Sequence, residues 1–120
     1  PDYRGDIWSG CCVIDYNNTS GFFDSSTPSE SRIVSLFTYH TFSGMTGDSV
    51  LAYYSTDHGM TFKKHGFVID NENFTYGPEF RDPKVRFLDD YGLWLMAIGG
   101  YNGEIRLFTS PNLKKNITFI

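Results

Sequence analysis

No apolar run in this 120-residue chain approaches the ~20 residues that a helix needs to cross a bilayer. Cysteine is nearly absent, and the only two, Cys11 and Cys12, are adjacent. Adjacent cysteines do not readily reach normal disulfide geometry, whose Cα separation is usually above ~4.4 Å. Along a strand they point to opposite faces, so they read as free thiols, one in and one out. Histidine and cysteine show no metal-ligand spacing, and neither a metal nor a cofactor is expected. Basic runs are missing as well: Lys63-Lys64 and Lys114-Lys115 are the only adjacent cations in a chain of net charge −4. That counts against nucleic acid and an anionic membrane as partners. No charged segment followed by an apolar one opens the chain, which begins on Pro1. The expectation is an internal piece of something larger.

Helical periodicity is missing too, and strands fill its place. Cys11–Asp15, Ile33–Tyr39, Val50–Ser55, Val85–Leu88, Leu93–Ile98 and Glu104–Thr109 are short, rich in β-branched and aromatic residues, and bounded by turn residues. The fold class is all-β. A faint repeat runs through it. Ser55-Thr56-Asp57-His58-Gly59-Met60-Thr61-Phe62 follows one strand, and Ser110-Pro111-Asn112-Leu113, leading to Thr118-Phe119, follows another. Asp57 is suited to capping a turn, Gly59 to supplying a positive φ, and Phe62 to packing beneath the loop. Such boxes decorate propeller blades, and this one reads as structural. A four-stranded unit recurring at about 40–55 residues fits a β-propeller blade, and residues 1–120 hold about two. A propeller needs at least ~4, so the chain reads as a partial propeller module without its flanking blades.

Two segments carry candidate chemistry. In Phe80-Arg81-Asp82-Pro83-Lys84-Val85, proline biases Asp82 toward extended backbone. Arg81 supplies a permanent charge that keeps a neighbouring carboxylate ionised and can hold a hydroxyl. A fixed, ionised Asp suits a site that grips sugar hydroxyls; the plainer reading is a surface ion pair beside a turn. Asp6-Ile7-Trp8-Ser9-Gly10-Cys11, read as preceding the first strand, offers an aromatic face, a hydroxyl and a glycine for close backbone approach. The plainer reading there is a buried tryptophan. Glycosylation sequons occur at Asn17, Asn18, Asn73 and Asn116, with the first two overlapping. They lean toward an extracellular, secreted protein.

Together these segments resemble glycoside hydrolase family 32, the invertases and fructan hydrolases. Trp8-Ser9-Gly10 resembles its aromatic-Ser/Thr-Gly-Ser motif, and Arg81-Asp82-Pro83 its Arg-Asp-Pro motif. Asp15-Tyr16-Asn17-Asn18-Thr19-Ser20-Gly21-Phe22-Phe23 looks like secreted yeast-type invertases. The resemblance implies a five-bladed propeller with an Asp nucleophile, a Glu acid/base and a third Asp that stabilises the transition state. Only the third role falls on this chain, at Asp82, with Arg81, Trp8 and Ser9 lining the fructose pocket. The chain departs from the pattern where Cys11 replaces the motif's closing serine. Neither an Asn-Asp-Pro-Asn nor a Glu-Cys segment is present. The reading is a fragment of a retaining β-fructofuranosidase acting on sucrose or short fructans, inactive as this chain alone. The alternatives are a non-catalytic carbohydrate-binding propeller remnant, and a sialidase or arabinan hydrolase. The single good box counts against a sialidase.

Overall fold

Eight strands form two sheets in the computed structural model, which describes residues 5–42, 46–114 and 117–120. The first sheet runs in chain order through β1 (Gly5–Ile14), β2 (Ile33–Thr41), β3 (Ser49–Ser55) and β4 (Lys63–Ile69). The second runs through β5 (Phe80–Leu88), β6 (Leu93–Gly100), β7 (Ile105–Ser110) and β8 (Thr118–Phe119). Every pairing is antiparallel, so each sheet is a meander of four strands. Among the described residues the only helical pieces are single 3-10 turns at Ser29–Ser31 and Tyr101–Gly103.

Alternation along β2 sets the packing. Val34 and Leu36 project one way and join Val50 and Ala52 against Val85, Trp94, Met96, Ile98 and Phe108 of the second sheet. Each large apolar side chain buried there stabilises the fold by ~1.5–3 kcal/mol relative to leaving it in water. Phe37 and Tyr39 take the opposite face, where they meet Tyr53 and Phe67. β5 packs across β1 and β2, which makes β1 and β5 the neighbouring strands of the two sheets.

Sequence reading missed two strands, β4 and the two-residue β8. β4 begins Lys63-Lys64-His65-Gly66, a poor strand sequence, and it lies at the sheet edge with those lysines exposed. Gly66 has φ 123° where β4 slips register against β3, and an irregular, charged edge resists pairing with other chains. Strand starts were also read too late. Trp8-Ser9-Gly10 lies inside β1 and Arg81-Asp82-Pro83 inside β5.

The repeat is real in three dimensions. Ser55, at the end of the third strand of its sheet, accepts the N–H groups of Asp57 and Gly59 on Oγ at 3.3 and 2.9 Å. Ser110, at the end of the corresponding strand β7, accepts those of Asn112 and Leu113 at 3.2 and 3.1 Å. Three residues after each serine the chain turns through a left-handed residue, His58 (φ 58°) and Leu113 (φ 60°). Phe62, expected beneath its loop, is instead exposed.

Candidate active site

Each of the neighbouring strands breaks register near its start. In β1, Ile7 pairs with Tyr39 and Gly10 with Phe37, so Trp8 and Ser9 both stand opposite Thr38. In β5, Arg81 pairs with Gly99 and Lys84 with Ala97, so Asp82 and Pro83 both stand opposite Ile98. A bulge of this kind adds an unpaired residue and re-aims side chains, which is why bulges gather beside functional sites. The two motifs singled out from sequence are therefore the two bulges.

Gly10 explains how β1 accommodates its bulge. A Cβ there would lie 2.1 Å from the Leu36 carbonyl oxygen and 2.5 Å from the Phe37 Cα. The close approach expected at this glycine is made to β2 rather than reserved for a ligand. Asp82 also departs from expectation: its φ of 59° places it in the left-handed region, not in extended backbone. Asp tolerates that region better than most side chains, though a non-glycine residue held there costs of order 1–3 kcal/mol. The Asp82 N–H is turned toward the first sheet, where it donates to Thr38 Oγ1 at 2.9 Å.

Three side chains stack beside the bulges, with a fourth behind them. Trp8 lies on His40, ring centroids 3.7 Å apart and 12° from parallel. The Arg81 guanidinium overhangs the Trp8 ring at 5.6 Å, within cation–π range. Behind His40, buried Asp48 accepts from Nδ1 at 2.7 Å, and its backbone carbonyl takes a further bond from the Asn71 side chain. This fixes the imidazole plane and, through it, the indole. Trp8 keeps 38% of its surface exposed, but a ring face expected for a sugar is taken by His40.

The plainer sequence reading paired Arg81 with Asp82. Its Nη2 instead meets the Glu79 carboxylate at 2.8 Å. Residues two apart along an extended chain share a side, whereas immediate neighbours do not. Trp8, Arg81 and Asp82 are thus brought to one corner of the molecule, with Ser9 joined to it through its backbone carbonyl. Thr38, His40, Asp48 and Glu79 were not singled out from sequence. In a one-chain reading Thr38 and His40 are ordinary strand residues, and only strand pairing places them beside Trp8.

Cys11, one residue past the β1 motif, is half-buried, and burial pushes its thiol pKa up, countered in part by the Val85 backbone and Lys84. Cys12 is exposed, and both thiols are free. Among the described residues no cluster of His, Cys, Asp and Glu is arranged to hold a metal.

A cleft of about 450 Å³ lies at the far ends of β1 and β5, lined by Val13, Asp15, Thr19, Phe87 and Trp94 among others. Its buried carboxylate is already committed. Asp15 accepts from the Thr19 N–H, the Thr19 hydroxyl and the Ser20 N–H at 2.8–2.9 Å, and Trp94 Nε1 donates to Thr19 Oγ1 at 2.8 Å. That end is a joint between the sheets, whereas the bulge corner leaves the Asp82 side chain exposed.

Of the sequons, Asn17 and Asn73 are exposed. The Asn18 amide is clamped to Phe23, donating to its carbonyl at 2.7 Å and accepting its N–H at 3.2 Å. Asn116 lies outside the described residues.

Residues 1–118 match the glycosyl hydrolases family 32 N-terminal domain. The chain is 42% identical over 117 residues to the extracellular exo-inulinase of Meyerozyma guilliermondii, covering 94% of this chain and 21% of that protein. It is 40% identical over 111 residues to the invertase of Debaryomyces hansenii, covering 90% of this chain and 20% of that one. The fold superposes on the fructofuranosidase of Schwanniomyces occidentalis, solved with fructose, with a TM-score of 0.84 and 36% identity. That match covers 97% of this chain and 22% of the other. The chain therefore spans about a fifth of the length of the relatives it matches.

Proposed function

This chain belongs to glycosyl hydrolase family 32, and we propose that it forms two blades of a longer, secreted β-fructofuranosidase. One observation carries the reading. Two family-32 motifs far apart in sequence fall on two bulges, and one buried hydroxyl joins those bulges. In this reading Asp82 holds fructose hydroxyls and stabilises the transition state. Trp8, Ser9 and Arg81 line the pocket, with Trp8 offering its edge and indole N–H. Hydrogen bonds to sugar hydroxyls that strengthen in an oxocarbenium-like transition state contribute several kcal/mol in retaining glycosidases.

Retaining chemistry also needs a nucleophile and an acid/base with carboxyls ~5–5.5 Å apart. We assign both to parts of the full-length protein outside these residues, so this chain alone is inactive. The substrate is a terminal β-fructofuranoside, either sucrose or a fructan. Among the described residues, Asn17 and Asn73 are the exposed sequons, suited to carry glycans in a secreted protein.

The test is release of free fructose from sucrose and from inulin by the full-length protein. Release from either supports the proposal. Binding of these sugars with no release from either would make the protein a carbohydrate-binding remnant and overturn it.

A further inference from the structure

The geometry points to Thr38 as a positioning residue that sets Asp82 against the Trp8–Ser9 bulge. The inference rests on the role proposed for Asp82. Thr38 lies in the middle of β2, on the face turned to the second sheet, and is completely buried. Its hydroxyl works both ways: Oγ1 donates to the Ser9 carbonyl at 3.1 Å and accepts the Asp82 N–H at 2.9 Å. One bond stays within its own sheet and reaches the β1 bulge. The other crosses to the second sheet and reaches the β5 bulge.

Both contacts are to backbone, so the side chains of Ser9 and Asp82 are left for other partners. The crossing bond lands on a residue whose φ of 59° is itself unfavourable for a non-glycine side chain. Such a conformation persists when its surroundings over-determine it. Thr38 supplies one such constraint from the opposite sheet. A hydroxyl is well suited because it donates and accepts together, matching one carbonyl and one N–H. Valine has the same shape but offers neither. Thr38→Val would leave the Ser9 carbonyl and Asp82 N–H without this partner and let the two bulges drift apart.

A displacement near 1 Å at a reacting centre costs on the order of 100-fold in rate. The experiment is steady-state kinetics on sucrose for the full-length protein and its Thr38→Val, Thr38→Ser and Asp82→Asn variants, with the Thr38→Val/Asp82→Asn double variant. Thr38→Val is expected to lower kcat by about 10- to 100-fold while KM changes by less than about 3-fold. Thr38→Ser, which keeps the hydroxyl, should recover most of kcat. In the Asp82→Asn background, Thr38→Val should add little further loss, because both act through one group.

A kcat for Thr38→Val within about 3-fold of the parent, with Asp82→Asn strongly impaired, overturns the positioning role alone. So do fully multiplicative losses in the double variant. An unimpaired Asp82→Asn removes the reading beneath it. Should Thr38→Val fail to fold, Thr38→Cys keeps a small side chain with a weaker donor. Its kcat must then fall between those of Thr38→Ser and Asp82→Asn, and a kcat equal to the parent's overturns the inference.

Discussion

At residue scale, the positions that matter are those where backbone and side chain are asked for something specific. Gly10 has no room for a methyl group, and the atoms in the way belong to the backbone of β2. Gly10→Ala should destabilise the full-length protein by at least about 1–3 kcal/mol, the usual cost of overpacking. Denaturant unfolding measures it, and an unchanged midpoint would contradict the close strand contact. Asp82 and Trp8 were legible in the sequence because Arg81-Asp82-Pro83 and Trp8-Ser9-Gly10 resemble family motifs, although the extended backbone expected at Asp82 is not what the structure has. Thr38, His40 and Glu79 were not. Their importance depends on which residues strand pairing and blade packing set opposite them, and no local pattern encodes that. The same limit explains why the ion-pair partner of Arg81, Glu79 two residues away, was not foreseen.

At the scale of elements, the strands β2, β3 and β6 were readable from composition because they are central and buried. β4 was not, since an edge strand gains by carrying lysine and a glycine bulge. The box after β3 was legible as a turn and is now specific. Hydrogen bonds from the Thr61 hydroxyl and N–H, then from Ser55, hold the Asp57 carboxyl at a pKa of about 2 against an ordinary 3.8. A carboxyl whose pKa is depressed on folding stabilises the fold above its unfolded value and loses that contribution as pH falls through its folded value. The Asp57 contribution should therefore be complete above about pH 4 and vanish toward pH 2. Melting temperatures of the full-length protein and Asp57→Asn, compared across that range, should converge as pH drops. A constant difference would mean the turn does not depend on the ionised carboxyl.

At the scale of the whole molecule, the described residues form a slab 43 × 35 × 19 Å, about the thickness of two packed sheets. Its surface exposes large apolar side chains among charged ones. Ile7 (65% exposed) and Phe67 lie on the first sheet, and Ile105 (75%) and Leu107 on the second. Such faces and open edges suit elements that are flanked on both sides, as blades inside a closed propeller are. The isolated 120-residue chain should bind a hydrophobic dye, self-associate and melt without a sharp transition. A monomer with a cooperative melt would contradict this account. In the proposed enzyme, the corner where the two sheets meet stabilises a transition state through Asp82. The most direct test is kcat and KM for sucrose in the full-length protein and its Asp82→Asn variant. Losing an interaction made mainly in the transition state predicts a fall in kcat of at least 100-fold, on the order of 3 kcal/mol, with KM changed far less. An unchanged kcat with a raised KM would reduce Asp82 to a ground-state contact and contradict the claim.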